Sequence, residues 1–397
     1  MADLKLNNVT TLTESGGGVA GTFSNVTASG NVTVSGDLVP SEPLSHRNMI
    51  YNGGMQIFQR ATSAVTATTT FDTADRWRIY DPSSGSFTSE KHTMAFAELN
   101  TTGHRTALKL ACTGVSSAGV GDHAYFFQPL EGQDLQKLQY GTANAKTVTI
   151  SFWVKSTITG TYCVSLYTVG GTNYQVAKEY TISSADTWEY KTITITPTEG
   201  STSLMTSSAS LIANDNGGGA YLYFFLVSGS SIEGTANEWG AGGTRYATSN
   251  QVNWLSNTSN TFYITGIQME LGQNATPFEH RTYNDELERC QRYLQHHHAH
   301  TAWAPFGNGQ AISTTSVEVF IPFITAMRTQ PTITENLAGC SDGANAVLDV
   351  TGTGAIYWTT QGTNITFTVS GATQYRSYSV ISNASSAGYL RLDSEIQ

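Results

Sequence analysis

The chain has 397 residues, of which 39% are hydrophobic, 13% are charged and 38 are glycine. The apolar share excludes wholesale disorder and leaves room for two or three domains, while the Gly, Thr, Ser and Asn content speaks for an all-β protein with many turns. Thirty acidic against twenty basic residues give a formal charge of −10, so there is no basic stripe to displace counterions from a nucleic-acid backbone.

The opening stretch MADLKLNNVTTLTESGGG has no continuous apolar segment of the secretory kind. No apolar run approaches the roughly 18 residues needed to span a membrane. Cys112, Cys163, Cys290 and Cys340 lie far apart, with no CxxC pair. They read as buried free thiols of a protein folded in a reducing cytoplasm. Within residues 1–46, NVTASG (25–30) is followed by NVTVSG (31–36), a near-repeat of short β runs ending in glycine. Such units have too few apolar residues for a core of their own. The segment is either a β-stranded shaft that stacks on other chains and attaches to a larger particle, or a flexible Gly/Ser-rich tail.

Residues 47–281 carry many short strand patterns separated by Gly- or Asn-rich turns. KTVTISFWVKS alternates Val148, Ile150, Phe152 and Val154 on one face. YLYFFLVSG, from Tyr221, is apolar on both faces and suits a central strand covered from two sides. TFYITGIQMEL sets Tyr263, Thr265, Ile267, Met269 and Leu271 on one face. The pattern is that of a β-sandwich.

Residues 278–292 break the pattern, with seven charged residues among fifteen. TYNDELERCQRYL places Tyr283, Leu287, Cys290 and Leu294 on one helical stripe, with acids early and arginines late, and Thr282 or Asn284 as N-cap. Over residues 282–299 this predicts a short linking helix and a His-rich junction, charged as a solvated connector would be. At about three turns the helix is marginal alone, and Leu287, Cys290 and Leu294 are its candidate contacts in a homotrimer. From 300 to 397 the β pattern resumes in TSVEVFIPF, AIYWTTQ, NITFTVSG and GYLRLDSEI, predicting a second, smaller sandwich.

The segments NMIYNGGMQIFQR, TADRWRIY, VTISFWVKS and TFYITGIQMELGQNATPFEHR, followed by DELERCQRYL, occur in this order. As a set they resemble bacteriophage tail-fibre or tail-spike receptor-binding proteins, in which a jelly-roll domain like a carbohydrate-binding module precedes a C-terminal β-sandwich. The resemblance covers residues 47–295 well and 296–397 less well. It implies a homotrimer on the virion tail, assembled in the host cytoplasm, joined to other tail proteins by its N-terminal segment. Its partner is then a host surface polysaccharide or lipopolysaccharide. The short N-terminal region departs from long-shafted fibres and fits a short fibre or a secondary appendage. A depolymerase tail spike and a purely structural head-fibre or tail-adaptor protein are the alternatives.

Catalytic signals are sparse: acids are scattered, and Asp122-His123 reads as the start of a strand because no nucleophile motif accompanies it. A non-enzymatic role follows as the expectation. No cofactor is required by the sequence, and two metals are conceivable. Jelly rolls of the resembled kind often hold a structural calcium, for which Asn52, Asp72, Asp75 and Glu270 would supply oxygens; an Asp–Arg pair with Arg76 or Arg78 is the simpler reading. His296, His298 and His300 alternate and would share one face of a strand, offering imidazoles to a transition metal on a threefold axis, a pattern known in phage fibres. A solvated polar junction is the simpler account. For glycans, Trp239, Tyr246 and Trp254 in NEWGAGGTRYATSNQVNWL, and Trp303 in AWAPFGNGQ, are the candidates, since flat rings among amides and hydroxyls suit sugar faces. Core packing is the competing role of any one tryptophan.

Overall fold

Val148, Ile150, Phe152 and Val154 are all fully buried, as their alternation requires, along a strand that runs Val148–Ser156. The computed structural model describes residues 5–6, 9–10, 45–67, 70–71, 73–243, 246–344 and 347–396. The chain forms two compact units, Met1–Ser41 and Glu42–Gln397. In the first, a hairpin pairs β1 (Lys5–Leu6) with β2 (Val9–Thr10); the hexapeptide repeat at 25–36 lies outside the described residues.

The second unit begins with a sandwich of two six-stranded antiparallel sheets. Its strands are β3 (Val65–Thr66), β4 (Arg78–Tyr80), β5 (Ser86–Thr93), β6 (Thr106–Gly114), β7 (His123–Glu131), β8 (Val148–Ser156) and β9 (Gly160–Thr168). They are followed by β10 (Tyr174–Ile182), β11 (Glu189–Ile195), β12 (Gly218–Ser228), β13 (Gly240–Ala241) and β14 (Thr261–Leu271). One sheet has the order β11-β8-β14-β6-β5-β3, the other β13-β10-β9-β12-β7-β4. A short helix, α1 (Phe96–Thr102), joins β5 to β6. The core between the sheets is aliphatic and aromatic; Phe126 and Phe224 stack across neighbouring strands with centroids 5.1 Å apart.

Strict alternation fails in β14. The register against β8 shifts between Thr265 and Gln268, where Gly266 takes φ +63. This bulge lets one extra residue in and reverses the phase. Phe262, Ile264, Ile267 and Met269 therefore face the core, while Tyr263 packs on the opposite face with Trp188.

The helix α2 (Tyr283–Gln291) starts on Thr282, whose hydroxyl accepts from the Asp285 N–H. Asp285 and Glu286 occupy its first turn and Arg289 its last. It is not the solvated connector that its charge suggested. Glu286 is buried, accepting from the Asn52 N–H and the Arg281 guanidinium, and Cys290 is fully buried. Leu294 lies beyond the helix, in β15 (Leu294–His298), and is also fully buried within the chain. Cys290 and Leu294 are thus spent on the chain's own interior and are removed from the proposed trimer contacts. Leu287 is half-buried and Tyr283 exposed.

The remaining strands are β16 (Pro305–Ser313), β17 (Ser316–Pro322), β18 (Thr332–Asn336), β19 (Ala338–Ser341), β20 (Leu348–Asp349) and β21 (Gly352–Thr359). They close with β22 (Gly362–Thr368), β23 (Ser377–Ser382) and β24 (Tyr389–Asp393). A seven-stranded sheet, β20-β19-β23-β16-β17-β22-β21, packs with the three-stranded β15-β24-β18 around a second core of Val317, Val319, Ile365, Phe367, Val380 and Leu392. The all-β, β-sandwich expectation therefore holds.

Charged side chains knit the two sandwiches together. Glu395 and Arg76 are fully buried and paired. Arg60 reaches Asp393 at 2.8 Å and Glu395 at 3.5 Å. Arg292 grips Glu131 with two bonds of 2.7 and 2.9 Å. The Arg76 guanidinium also lies 3.3 Å over the ring of the buried Tyr293.

Candidate functional site

β7 and β12 alternate aromatic residues on both faces. Ala124, Phe126 and Leu130 of β7, and Leu222, Phe224 and Leu226 of β12, enter the core. The intervening side chains go to the outer face: Tyr125 and Phe127 from β7, Tyr221, Tyr223 and Phe225 from β12. β4 adds Tyr80 and β9 adds Tyr167, while Tyr246 leans in from the loop before β14. The second face of β12 is covered at Tyr223 and Phe225, as its apolar sequence suggested, while Tyr221 stays partly exposed at one end of it.

The rings form one continuous set. Tyr80 stacks on Tyr125 at 5.2 Å and on His123 at 5.6 Å. Tyr125 meets Tyr223 edge-on at 5.1 Å, and Phe127 stacks on Tyr223 at 5.0 Å. Tyr223 meets Tyr246 at 5.6 Å, and Tyr246 stacks on Tyr167 at 6.1 Å. Phe225 is fully buried beneath these contacts, whereas Tyr80, Tyr125, Tyr167, Tyr221 and Tyr246 remain partly exposed. Burial raises the hydroxyl pKa of Tyr125, Tyr221, Tyr223 and Tyr246, so these groups stay protonated donors at neutral pH. The Tyr167 hydroxyl accepts from Asn173 at 2.7 Å. The Arg78 guanidinium lies 5.8 Å from the Phe127 ring centre. At one border, Thr248 and Asn250 donate to Glu179. At the other, a Cβ built on Gly218 would touch both the Tyr221 hydroxyl and Ile396, so the end of the chain borders the face. Partly exposed rings carrying hydroxyls can stack on the C–H side of a sugar and bond its hydroxyls.

Of the four aromatic residues singled out from sequence, only Tyr246 belongs to this face. Trp239 is 1% exposed, donating to the Thr196 carbonyl at 2.8 Å, and Trp254 is 0% exposed, edge-on to Phe87 at 5.8 Å. Both are core residues that pin Gly- and Asn-rich loops to the sandwich. Trp303 is 49% exposed at φ +65, in the turn before β16. Tyr80, Tyr125, Tyr167, Tyr221 and Tyr223 escaped the sequence reading, although HAYFF and YLYFF carry the signal: aromatics at every second position on two strands.

The calcium set does not assemble. Asn52 bonds the Gln56 and Ile57 N–H groups and the Ile57 and Asp75 carbonyls. Asp75 accepts from the Gln59 N–H at 2.9 Å and lies 3.9 Å from Arg60, which replaces the expected pairing with Arg76. Glu270 is committed elsewhere, to Gln268 and Thr276. Asp72 lies outside the described residues. Among the described residues, no three His, Cys, Asp or Glu side chains are grouped to hold a metal.

The histidines do share one side of β15: the His296 and His298 rings lie 5.8 Å apart, and those of His298 and His300 5.6 Å apart. His298 and His300 are exposed. His296 is engaged within the chain, with Nδ1 on the Gln59 carbonyl and Nε2 buried without a partner. Burial, followed by the nearby Arg391 charge, lowers its pKa from 6.5 to about 4. The unfolded chain thus takes up a proton below pH 6.5 that the folded chain resists until about pH 4. Stability is therefore expected to fall as pH drops through that window, and His296→Gln should flatten the loss. Thermal melts across the window check this; equal slopes for both proteins would contradict the buried neutral ring.

No family model matches the chain, and no curated protein does. Among solved structures it is similar to the enzymatically active domain of bacteriophage CBA120 tailspike protein 4, at 13% identity over 56% of this chain, with a TM-score of 0.29. The match covers 21% of that tailspike chain. It is also similar to the family 11 carbohydrate-binding module of the cellulosomal cellulase Lic26A-Cel5E of Clostridium thermocellum (11% identity, 55% of this chain, 99% of the module, TM-score 0.26). A third is the CBM22-1–CBM22-2 tandem of Paenibacillus barcinonensis Xyn10C (11% identity, 85% of this chain, 98% of the tandem, TM-score 0.24). At these values the likeness carries no functional argument. The aromatic face carries the functional reading.

Proposed function

We propose that the protein is a non-enzymatic glycan-binding attachment protein of a phage tail, which docks host surface polysaccharide or lipopolysaccharide on the tyrosine face. The observation that supports this is the continuous aromatic set of β4, β7, β12 and β9, in which Tyr80, Tyr125, Tyr167, Tyr221 and Tyr246 are partly exposed around the buried Phe127, Tyr223 and Phe225. Single sites of this kind bind weakly, so a homotrimer would supply avidity. The sequence resemblance to tail fibres supports the virion location, with the N-terminal unit on the particle side.

Tyr125→Ala and Tyr221→Ala are each expected to weaken binding to host surface polysaccharide by about 0.5–1.5 kcal/mol beyond lost contact area, with a lower melting temperature, most of all for Tyr125, which packs on Tyr80, Phe127, Tyr223 and Phe225. Glycan-array titration of the purified variants, beside a phage-adsorption block by wild-type protein, measures this. Unchanged affinity in both variants would move the site elsewhere. Shortening of the polysaccharide on incubation would replace attachment with depolymerisation.

A further inference from the structure

A cavity of about 300 Å³ opens at the end of the first sandwich, at the small end of the range that holds ligands. Gln56, Lys91, His104, Arg105, His280 and Tyr283 line it, and no acidic side chain does. The basic groups come from three separate segments: Lys91 from β5, His104 and Arg105 from the turn between α1 and β6, and His280 from the stretch before α2. Among the described residues, no ion pair to a carboxylate engages Lys91, Arg105 or His280, whereas Lys109, Lys155, Lys178 and Lys191 all have one. In a chain of net charge −10, basic groups left together without a counter-charge are held against the prevailing electrostatics.

The rest of the wall is neutral. Toward the end of α1, Ala97 accepts from the Thr101 hydroxyl, Glu98 from the Thr102 hydroxyl at 2.9 Å, and Leu99 from the Gly103 N–H at 2.8 Å. His104 is 4% exposed and its ring lies 5.4 Å from that of His280. The ring fits only because Gly266 has no side chain: a Cβ there would come within 2.5 Å of Nε2. Burial, then His280, lowers the His104 pKa to about 4, so at neutral pH it offers an N–H without adding charge.

We propose that this cavity binds one anionic group, a carboxylate or a phosphate, between Lys91, Arg105 and His280. The guanidinium supplies a planar fork of donors, the ammonium a point charge and the imidazole a further N–H, a donor set matched to an oxyanion. The site lies on other elements than the tyrosine face and stands whether or not that face binds glycan.

The test titrates the full chain with sodium phosphate and, separately, with glucuronate, while the His104 and His280 ring resonances are followed by NMR; glucose is the uncharged control. Saturable shifts of both rings are expected with at least one anion and none with glucose, weakening as NaCl is raised. Lys91→Gln and Arg105→Gln should each lower the affinity about tenfold. Both side chains reach solvent, and a melting temperature matching wild type certifies the fold. Tighter binding of glucuronate assigns the carboxylate of an acidic sugar, and tighter binding of phosphate assigns a phosphate ester. Rings that stay still with both anions, or equal affinity in folded Lys91→Gln and Arg105→Gln, would overturn the proposal.

Discussion

Glu395→Ala should destabilise the protein by about 3–5 kcal/mol, the usual cost of breaking a buried ion pair. The substitution removes the carboxylate that faces both Arg76, fully buried, and Arg60, whose side chain is 4% exposed. Arg60 keeps Asp393 at 2.8 Å, but Arg76 keeps the Pro129 carbonyl and the rings of Tyr293 and Tyr51, with no paired carboxylate among the described residues. Its Nε already lacks a partner. An uncompensated, fully buried guanidinium then dominates the loss. Glu395→Gln retains a hydrogen-bond acceptor and should lose less. The double change Arg76→Met with Glu395→Leu removes both charges and should recover part of the stability. Urea midpoints at neutral pH report the series. A Glu395→Ala midpoint equal to wild type would mean that the pair is open to water in solution.

Trp254→Ala is expected to lose about 3–5 kcal/mol, the range for truncating a large buried aromatic, while glycan binding at the tyrosine face persists. Trp254 is fully buried against Phe87, and its carbonyl accepts from Asn260 at 2.7 Å, so the ring and its backbone together fasten the loop before β14. Its indole N–H is buried without a partner. Trp254→Phe sheds that unpaired donor and keeps most of the packing, so it should be much the milder change. Melting temperature and glycan titration on the same samples separate the two roles. Loss of binding in a Trp254→Phe protein that melts like wild type would restore this residue to the glycan site.

These residues mark what the sequence could and could not tell. Alternation in β8 was legible because both the strand and its neighbours are regular, and the sandwich followed from it. The phase of β14 was not, since one glycine at φ +63 reverses it, and a glycine in a strand pattern is equally compatible with no bulge. The helix at 283–291 was found by its cap and charge order, but its burial was not. Glu286 and Cys290 are interior only because the loops at 48–60 and 73–77 fold over them, a contact more than 200 positions away in sequence. Tryptophans set among glycines looked exposed, yet a flexible loop needs an anchor, and a large ring in the core provides one. The tyrosine face was written in HAYFF and YLYFF. It was missed because the partly exposed rings, Tyr125 and Tyr221, alternate with buried ones, and an apolar strand pattern does not say which part of its second face is left uncovered.

The Arg76–Glu395 pair also bears on time. Its partners are separated by 319 positions, so closing it requires most of the chain to have been ordered first, and the loop entropy is met only by contacts already in place. Such a contact is expected late on the folding route, so that conservative substitutions at Arg76 or Glu395 should give low φ-values. Interactions of that kind act chiefly on the rate of opening. The buried pair therefore sets how long the two sandwiches stay joined more than how fast they come together, and the molecule's endurance is governed by a lifetime.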